Sequence, residues 1–377
     1  MVASPAAVSV PDMIAPLSES YAQARASFLE AASGAGARID SSPHPLAGMD
    51  GEELAIDVAE VGPADNEAVV IVVSGTHGVE GYLGSALQRH HLDQLAEQPN
   101  SPDGPTMVFL HALNPYGFSW VRRVNEDNVD LNRNFIDWSQ SPPGNDGYGP
   151  LADVLVPSSW SADEQERTLA ALLGELEQAG MASFQQTISG GQYTYPTGIF
   201  YGGTEPVWSH RWVREFLGRR LAGVARAAVV DLHTGLGPWG FGELISSAEP
   251  ESDTYARQCE WFGEVTCHKG GNSVSAPLEG DWLSAVPDMA PNTDVTAVAI
   301  EYGTVDTVSV LQSLRADAVL HAHGDPTASD ALAIRNQVRA AFNDDDPTWL
   351  EKCQPRYASV VEAAVRGLAN KNRARNG

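Results

Sequence analysis

The chain has 377 residues, 43% hydrophobic and 19% charged, which is enough apolar side chain for a sizeable core and too little charge for a disordered polypeptide. Forty-nine acidic residues against 23 basic ones leave a net charge of −26, a field that repels phosphate backbones and anionic headgroups and so excludes nucleic acid and membrane surfaces as expected partners. The three cysteines, Cys259, Cys267 and Cys353, imply no disulfide framework and fit a reducing, cytoplasmic compartment.

Along the chain, residues 1–20 read as an amino-terminal tail and 21–377 as one domain, with neither a basic leader nor a long apolar span. A β-branched run at 68–74 predicts a buried strand, 82–96 a helix, and 107–113 a second strand that ends in Asn-Pro. Residues 137–157, rich in Ser, Pro, Gly and Asp, open a long insertion at 137–226 that is expected to cover the active rim. Within it, 162–179 predicts a helix whose Leu169, Leu172, Leu173 and Leu176 have the spacing of one buried face. Tyr193, Tyr195, Phe200 and Tyr201 crowd the next segment, 189–203, which reads either as a substrate-side loop or as an aromatic cluster closing a core edge. A helix at 208–223, strands at 227–232 and 295–302, a helix at 253–263 and further helices from 309 onward complete an alternation that predicts an α/β layered fold.

Three predicted strands end in chemistry. After 68–74 comes Gly-Thr-His77-Gly-Val-Glu80-Gly, a histidine and a carboxylate three residues apart; alone, this spacing is common. A second histidine, His233, ends the strand at 227–232, and two imidazoles with one carboxylate make a three-ligand site that leaves a fourth position for water, the pattern of catalytic zinc. Glu301 ends the apolar run at 297–300. Ligand crevices of open α/β sheets lie beyond the carboxyl ends of the strands, so these residues are expected to meet at one rim.

Downstream of the second strand stand Asn114-Pro-Tyr-Gly117, then Arg122-Arg123-Val-Asn125 and Val129-Asp130-Leu-Asn132-Arg133-Asn134-Phe135. Together with the upstream His-x-x-Glu, the downstream His and the late Glu, this order resembles the M14 zinc carboxypeptidase superfamily across 68–304. The His-Gly-x-Glu form, the Asp-Leu-His-Thr-Gly segment and the stretch 193–203 are most similar to its bacterial DUF2817 branch. The resemblance implies a three-layer α/β/α sandwich around a mixed, mostly parallel sheet, with one zinc per chain on His77, Glu80 and His233. By the same resemblance Glu301 is the general acid/base, Arg123 stabilises the oxyanion, Asn132 and Arg133 grip a substrate carboxylate, and Asp130 orients His77.

The activity so implied is amide-bond hydrolysis of a small peptide or amino-acid conjugate bearing a free carboxylate. An aspartoacylase-like deacylation of N-acyl amino acids uses the same residues, and a catalytically silent metal- or peptide-binding module is the non-enzyme alternative. The digestive members' mobile tyrosine has no counterpart, because 272–288 offers only Trp282 as an aromatic. His90, His91, His268, His321 and His323 read as surface or hydrogen-bonded histidines rather than ligands. Asp231, two residues before His233 on the same strand face, reads as a structural hydrogen-bonding residue with a ligand-orienting role open to it. Oligomeric partners are unknown from sequence.

Overall fold

A computed structural model describes residues 14–369 apart from 100 and 102. Eight strands form one sheet: β1 (Arg38–Ala47), β2 (Glu53–Val61), β3 (Ala68–Val73), β4 (Thr106–His111), β5 (Arg226–Trp239), β6 (Gly242–Ser246), β7 (Thr266–Cys267) and β8 (Asp294–Gly303), in the spatial order β1-β2-β4-β3-β5-β8-β6-β7. The centre, β4-β3-β5-β8, is parallel, whereas β1, β2 and β6 pair antiparallel to their inner neighbours. Central parallel strands are buried on both faces, which is why β3 reads as the unbroken apolar run AVVIVV.

The period of two sorts that run onto two cores. Val70 and Val72 face one layer of helices, including Tyr21–Gly34, Gly81–Glu97 and Pro347–Ala369; Val69, Ile71 and Val73 face the other, built on Trp208–Arg220 and the turns at 283–289. The result is the expected three-layer sandwich. The segment 137–226 contributes in two places. Its helix Trp208–Arg220 completes a layer, while Met181–Ser189 reaches the cavity at the sheet rim.

Two expectations need correction. In helix Ala162–Ala179 the leucine spacing does not make a buried face: Leu172 is buried, but Leu173 is 47% exposed and Leu169 and Leu176 are only half-buried, because one short contact surface is all the helix shares with the core. Of the expected tail, residues 1–13 lie outside the described residues, while Ile14 and Leu17 are buried in the first core. Among the described residues no helix is long and apolar enough to cross a membrane.

One buried polar feature has a pH consequence. In β4, His111 stacks on Phe28 at 4.5 Å and its Nε2 lies 2.9 Å from Ser85 Oγ. Burial pushes the imidazole down to about 4, as it does for His91, which meets the Tyr357 hydroxyl at 2.8 Å. Unfolded histidine titrates near 6.5, so between about pH 6.5 and 4 the unfolded chain binds more protons and stability is expected to fall as the pH drops through that window. Thermal midpoints measured against pH check this. His111→Gln should lose less stability over the window than the wild type, and identical curves would remove His111 from the account.

Candidate metal centre

The motif Gly75-Thr-His77-Gly78-Val-Glu80-Gly81 leaves β3 as a tight turn that leads into helix Gly81–Glu97. It can pack there only because two backbones touch. A Cβ on Gly78 would stand 2.0 Å from the carbonyl carbon of Gly117, the glycine of the Asn-Pro-x-Gly motif, and one on Gly117 would stand 2.5 Å from Val124 O. Further hydrogen bonds, from Gly78 N to Arg123 O (3.2 Å) and from Val79 N to Arg122 O (2.8 Å), lock this turn to the loop that carries Arg123. The glycines of both motifs thus bring His77 and Arg123 together.

His77, Glu80 and His233 converge, all buried, with ligand atoms within 4.8 Å of one another. His77 Nδ1 lies 2.9 Å from Glu80 Oε1, His233 Nδ1 lies 2.8 Å from Glu80 Oε2, and the two Nδ1 atoms are 3.2 Å apart. The far nitrogens fix the tautomers. His77 Nε2 donates to Asp130 Oδ1 at 3.1 Å and His233 Nε2 donates to Asp231 Oδ2 at 2.6 Å, so in each ring Nδ1 is the atom turned to Glu80, where a metal ion would take the place of a proton. Such a cluster calls for a cation, and neutral imidazoles with one carboxylate are a donor set that zinc accepts.

The electrostatics follow from the same contacts. Burial alone would raise the Glu80 carboxyl, but His77 and His233 outweigh it and hold it well below the usual range. Burial would likewise lower His233, yet Asp231 and Glu80 hold it well above its ordinary value. Asp130 is kept ionised against burial by Arg123, Arg133 and His77. Burial disfavours the Arg123 charge too, but Asp130 and Glu80 more than compensate, so the guanidinium is permanently charged.

Glu301 sits on β8 directly opposite His233 in the register, its Oε1 accepting from Leu236 N at 2.9 Å. Burial, followed by the charge of Glu80, pushes its carboxyl up to about 8. His233 does not end its strand as expected: β5 runs on to Trp239 through an irregularity after Gly235, and that extension supplies the Leu236 amide. Arg123 donates through Nε to Asp130 Oδ2 (3.0 Å) and through Nη1 to Glu80 Oε1 (3.1 Å), leaving Nη2 without a protein acceptor among the described residues.

His77, His233, Arg123 and Glu301 share a cavity of about 550 Å³ with Asn132 and Arg133. Asn132 Oδ1 accepts from Trp282 N (3.2 Å). Arg133 is more occupied than the sequence suggested, with Nη1 donating to Asn132 O (2.8 Å) and both Nε and Nη2 donating to Ser189 O. Phe200 lies over both Arg123 and Arg133, 5.5 and 5.4 Å from ring centre to guanidinium carbon, and Tyr193 donates to Arg133 O at 2.6 Å. Phe200 has a φ of 54°, uncommon for so bulky a residue. Of the aromatic patch, then, Phe200 and Tyr195 both pack against the first core, and Phe200 also lines the cavity.

The buried support is what sequence reasoning weighed too lightly. Asp231 orients His233 and is itself held by Thr76 Oγ1 (2.8 Å) and Trp282 Nε1 (2.6 Å). Trp282 is fully buried beneath the site, so it does not stand in for the missing tyrosine, and among the described residues no tyrosine lines the cavity. The alternation of Asp231 with His233 was the available signal; nothing local pointed to Thr76 or Trp282.

The architecture is that of the carboxypeptidases. The fold matches the crystal structure of thrombin-activatable fibrinolysis inhibitor with a TM-score of 0.53 at 12% identity, covering 93% of this chain and 74% of that one. It matches carboxypeptidase A from Helicoverpa armigera with a TM-score of 0.52 at 12% identity, covering 94% and 74%. At such identities the likeness is one of fold. No curated protein matches the sequence. The chain belongs to the DUF2817 family, described as a protein family of unknown function, whose model matches residues 17–355.

Proposed function

We propose that this protein is a zinc-dependent amide-bond hydrolase acting on a small peptide or amino-acid conjugate with a free carboxylate. The observation that carries the reading is the set of three converging ligand groups, with both imidazoles backed by carboxylates and lining one cavity with Glu301 and Arg123. His77, Glu80 and His233 would hold the ion. A bound zinc supplies Lewis acidity, polarising a carbonyl and bringing the pKa of water toward about 7.

The chain's own groups do the rest. Glu301, held in place by Leu236 N, takes the proton of the attacking water and returns it to the leaving amine. The Nη2 group of Arg123 faces negative charge as it develops on the carbonyl oxygen, and because Glu80 and Asp130 already hold the guanidinium, no reorganisation is needed at that moment. Asn132 and the remaining N–H groups of Arg133 take the substrate carboxylate.

A panel of short peptides and N-acyl amino acids, each with and without chelator, tests this reading and assigns the direction of cleavage. Chelator-sensitive release of an amine from at least one compound, restored by zinc, is the expected result. Hydrolysis indifferent to the chelator, or none across both sets, would overturn it.

A further inference from the structure

Away from the metal ligands, the same cavity is lined by two buried polar groups that the mechanism does not use. His268, expected from sequence to be a surface or hydrogen-bonded histidine, follows β7 and is 2% exposed; Asp281 is 5% exposed. His268 Nδ1 accepts from Leu278 N at 3.2 Å, so the ring carries its proton on Nε2. Asp281 Oδ2 accepts from Ser284 N at 3.0 Å. The other two atoms, His268 Nε2 and Asp281 Oδ1, have no hydrogen-bond partner among the described residues, and at 3.9 Å they are too far apart to satisfy each other.

A direct ion pair would explain them blandly, but it requires a second proton on Nδ1, which already faces the Leu278 N–H. Burial first, then Lys269 and Arg133, also hold the imidazole below its ordinary value despite Asp281. What remains is an N–H donor beside a carboxylate acceptor, both atoms buried, on two residues that line the cavity. The pair adjoins the proposed carboxylate grip, since Asp281 immediately precedes Trp282, whose N–H holds Asn132 Oδ1, and both groups act electrostatically on or with Arg133.

We infer that His268 and Asp281 form a recognition site for a neutral substrate side chain that carries donor and acceptor together, a hydroxyl or a carboxamide. This rests on the hydrolase reading and names its substrate class. A carboxylate would meet Asp281, an ammonium could pair with Asp281 but would leave the Nε2–H without an acceptor, and an aliphatic group would leave both atoms buried and unpaired, so none of them satisfies both atoms. Sites built to hydrogen-bond a substrate group discriminate strongly against analogues lacking it.

The test is calorimetric titration of zinc-loaded Glu301→Gln protein with N-acetyl derivatives of glutamine, serine, leucine and glutamate, which needs no turnover. The glutamine or the serine compound is expected to bind at least about tenfold more tightly than the leucine and glutamate compounds; which of the two does so separates carboxamide from hydroxyl. Adding Asp281→Asn keeps an oxygen for Ser284 N and puts an N–H in place of Oδ1, so two donors now face the ligand and preference should move to N-acetylglutamate. Adding His268→Phe should bring the favoured compound down to the leucine level. Equal affinities across the set, no binding of any compound, or an unchanged order in Asp281→Asn would overturn the inference. Failure of the hydrolase reading is seen separately, as absence of chelator-sensitive turnover in the unmodified protein while the ligand order persists.

Discussion

Replacing Glu301 by Gln is expected to lower turnover by about 10² to 10⁴-fold while leaving the metal content of the purified protein unchanged. The substitution is nearly isosteric, and the amide oxygen can still accept from Leu236 N, so β8 and its register with β5 have no cause to shift. Only the capacity to take up and return a proton is removed. The neutral amide also relieves the repulsion from Glu80 that helps raise the native carboxyl, so loss of activity cannot be blamed on a strained fold. Single-turnover rates and metal analysis on the same preparation check it. Turnover within about tenfold of wild type would assign the proton transfer to another group.

That Glu301 was legible from sequence at all follows from the parallel sheet. A central parallel strand has little room for charge, so a glutamate closing the run Ala297–Ile300 stands out, as do His77 and His233 beyond β3 and within β5. The outer strands gave no comparable signal. β1 is an edge strand, exposed along most of its length and carrying Pro43 and Pro45, which an edge tolerates and a central strand does not. β2 hides its apolar character behind Asp57, buried because Arg25 from helix Tyr21–Gly34 pairs with it at 2.8 Å. That partner lies 32 positions away, and no window of local periodicity spans such a distance.

The same limit applies inside the site. Residues in one motif, such as Asp130 beside Asn132 and Arg133, could be read together, whereas the contacts that orient them could not. Ser189 O on Arg133, Thr76 and Trp282 on Asp231, and the facing of His268 and Asp281 join segments separated by loops, and only the folded chain brings them together. Arg133 illustrates the consequence. Its backbone-held guanidinium does structural work for the Met181–Ser189 wall as well as any work on a carboxylate.

Replacing His233 by Ala is expected to remove most of the zinc and, with it, all chelator-sensitive activity, because two ligands, one of them the Glu80 carboxylate already shared with Arg123, then remain. The fold should survive, since Asp231 keeps its donors from Thr76 and Trp282, and Glu80 keeps the Thr234 amide at 3.2 Å. The orienting carboxylates allow a graded comparison. Asp130→Ala and Asp231→Asn leave all three ligands in place, the first removing the acceptor of the His77 Nε2 proton and the second replacing the carboxylate that accepts from His233 Nε2 by a neutral amide, so zinc retention against a competing chelator should weaken by about 10 to 100-fold in each. In Asp231→Asn the amide oxygen can still accept from His233 Nε2 and Trp282 Nε1 once its NH2 turns to Thr76 Oγ1, so this variant separates loss of the carboxylate charge from loss of the acceptor itself. Metal analysis of the His233→Ala protein decides the ligand assignment: zinc retained at one ion per chain would mean that the ion is held elsewhere.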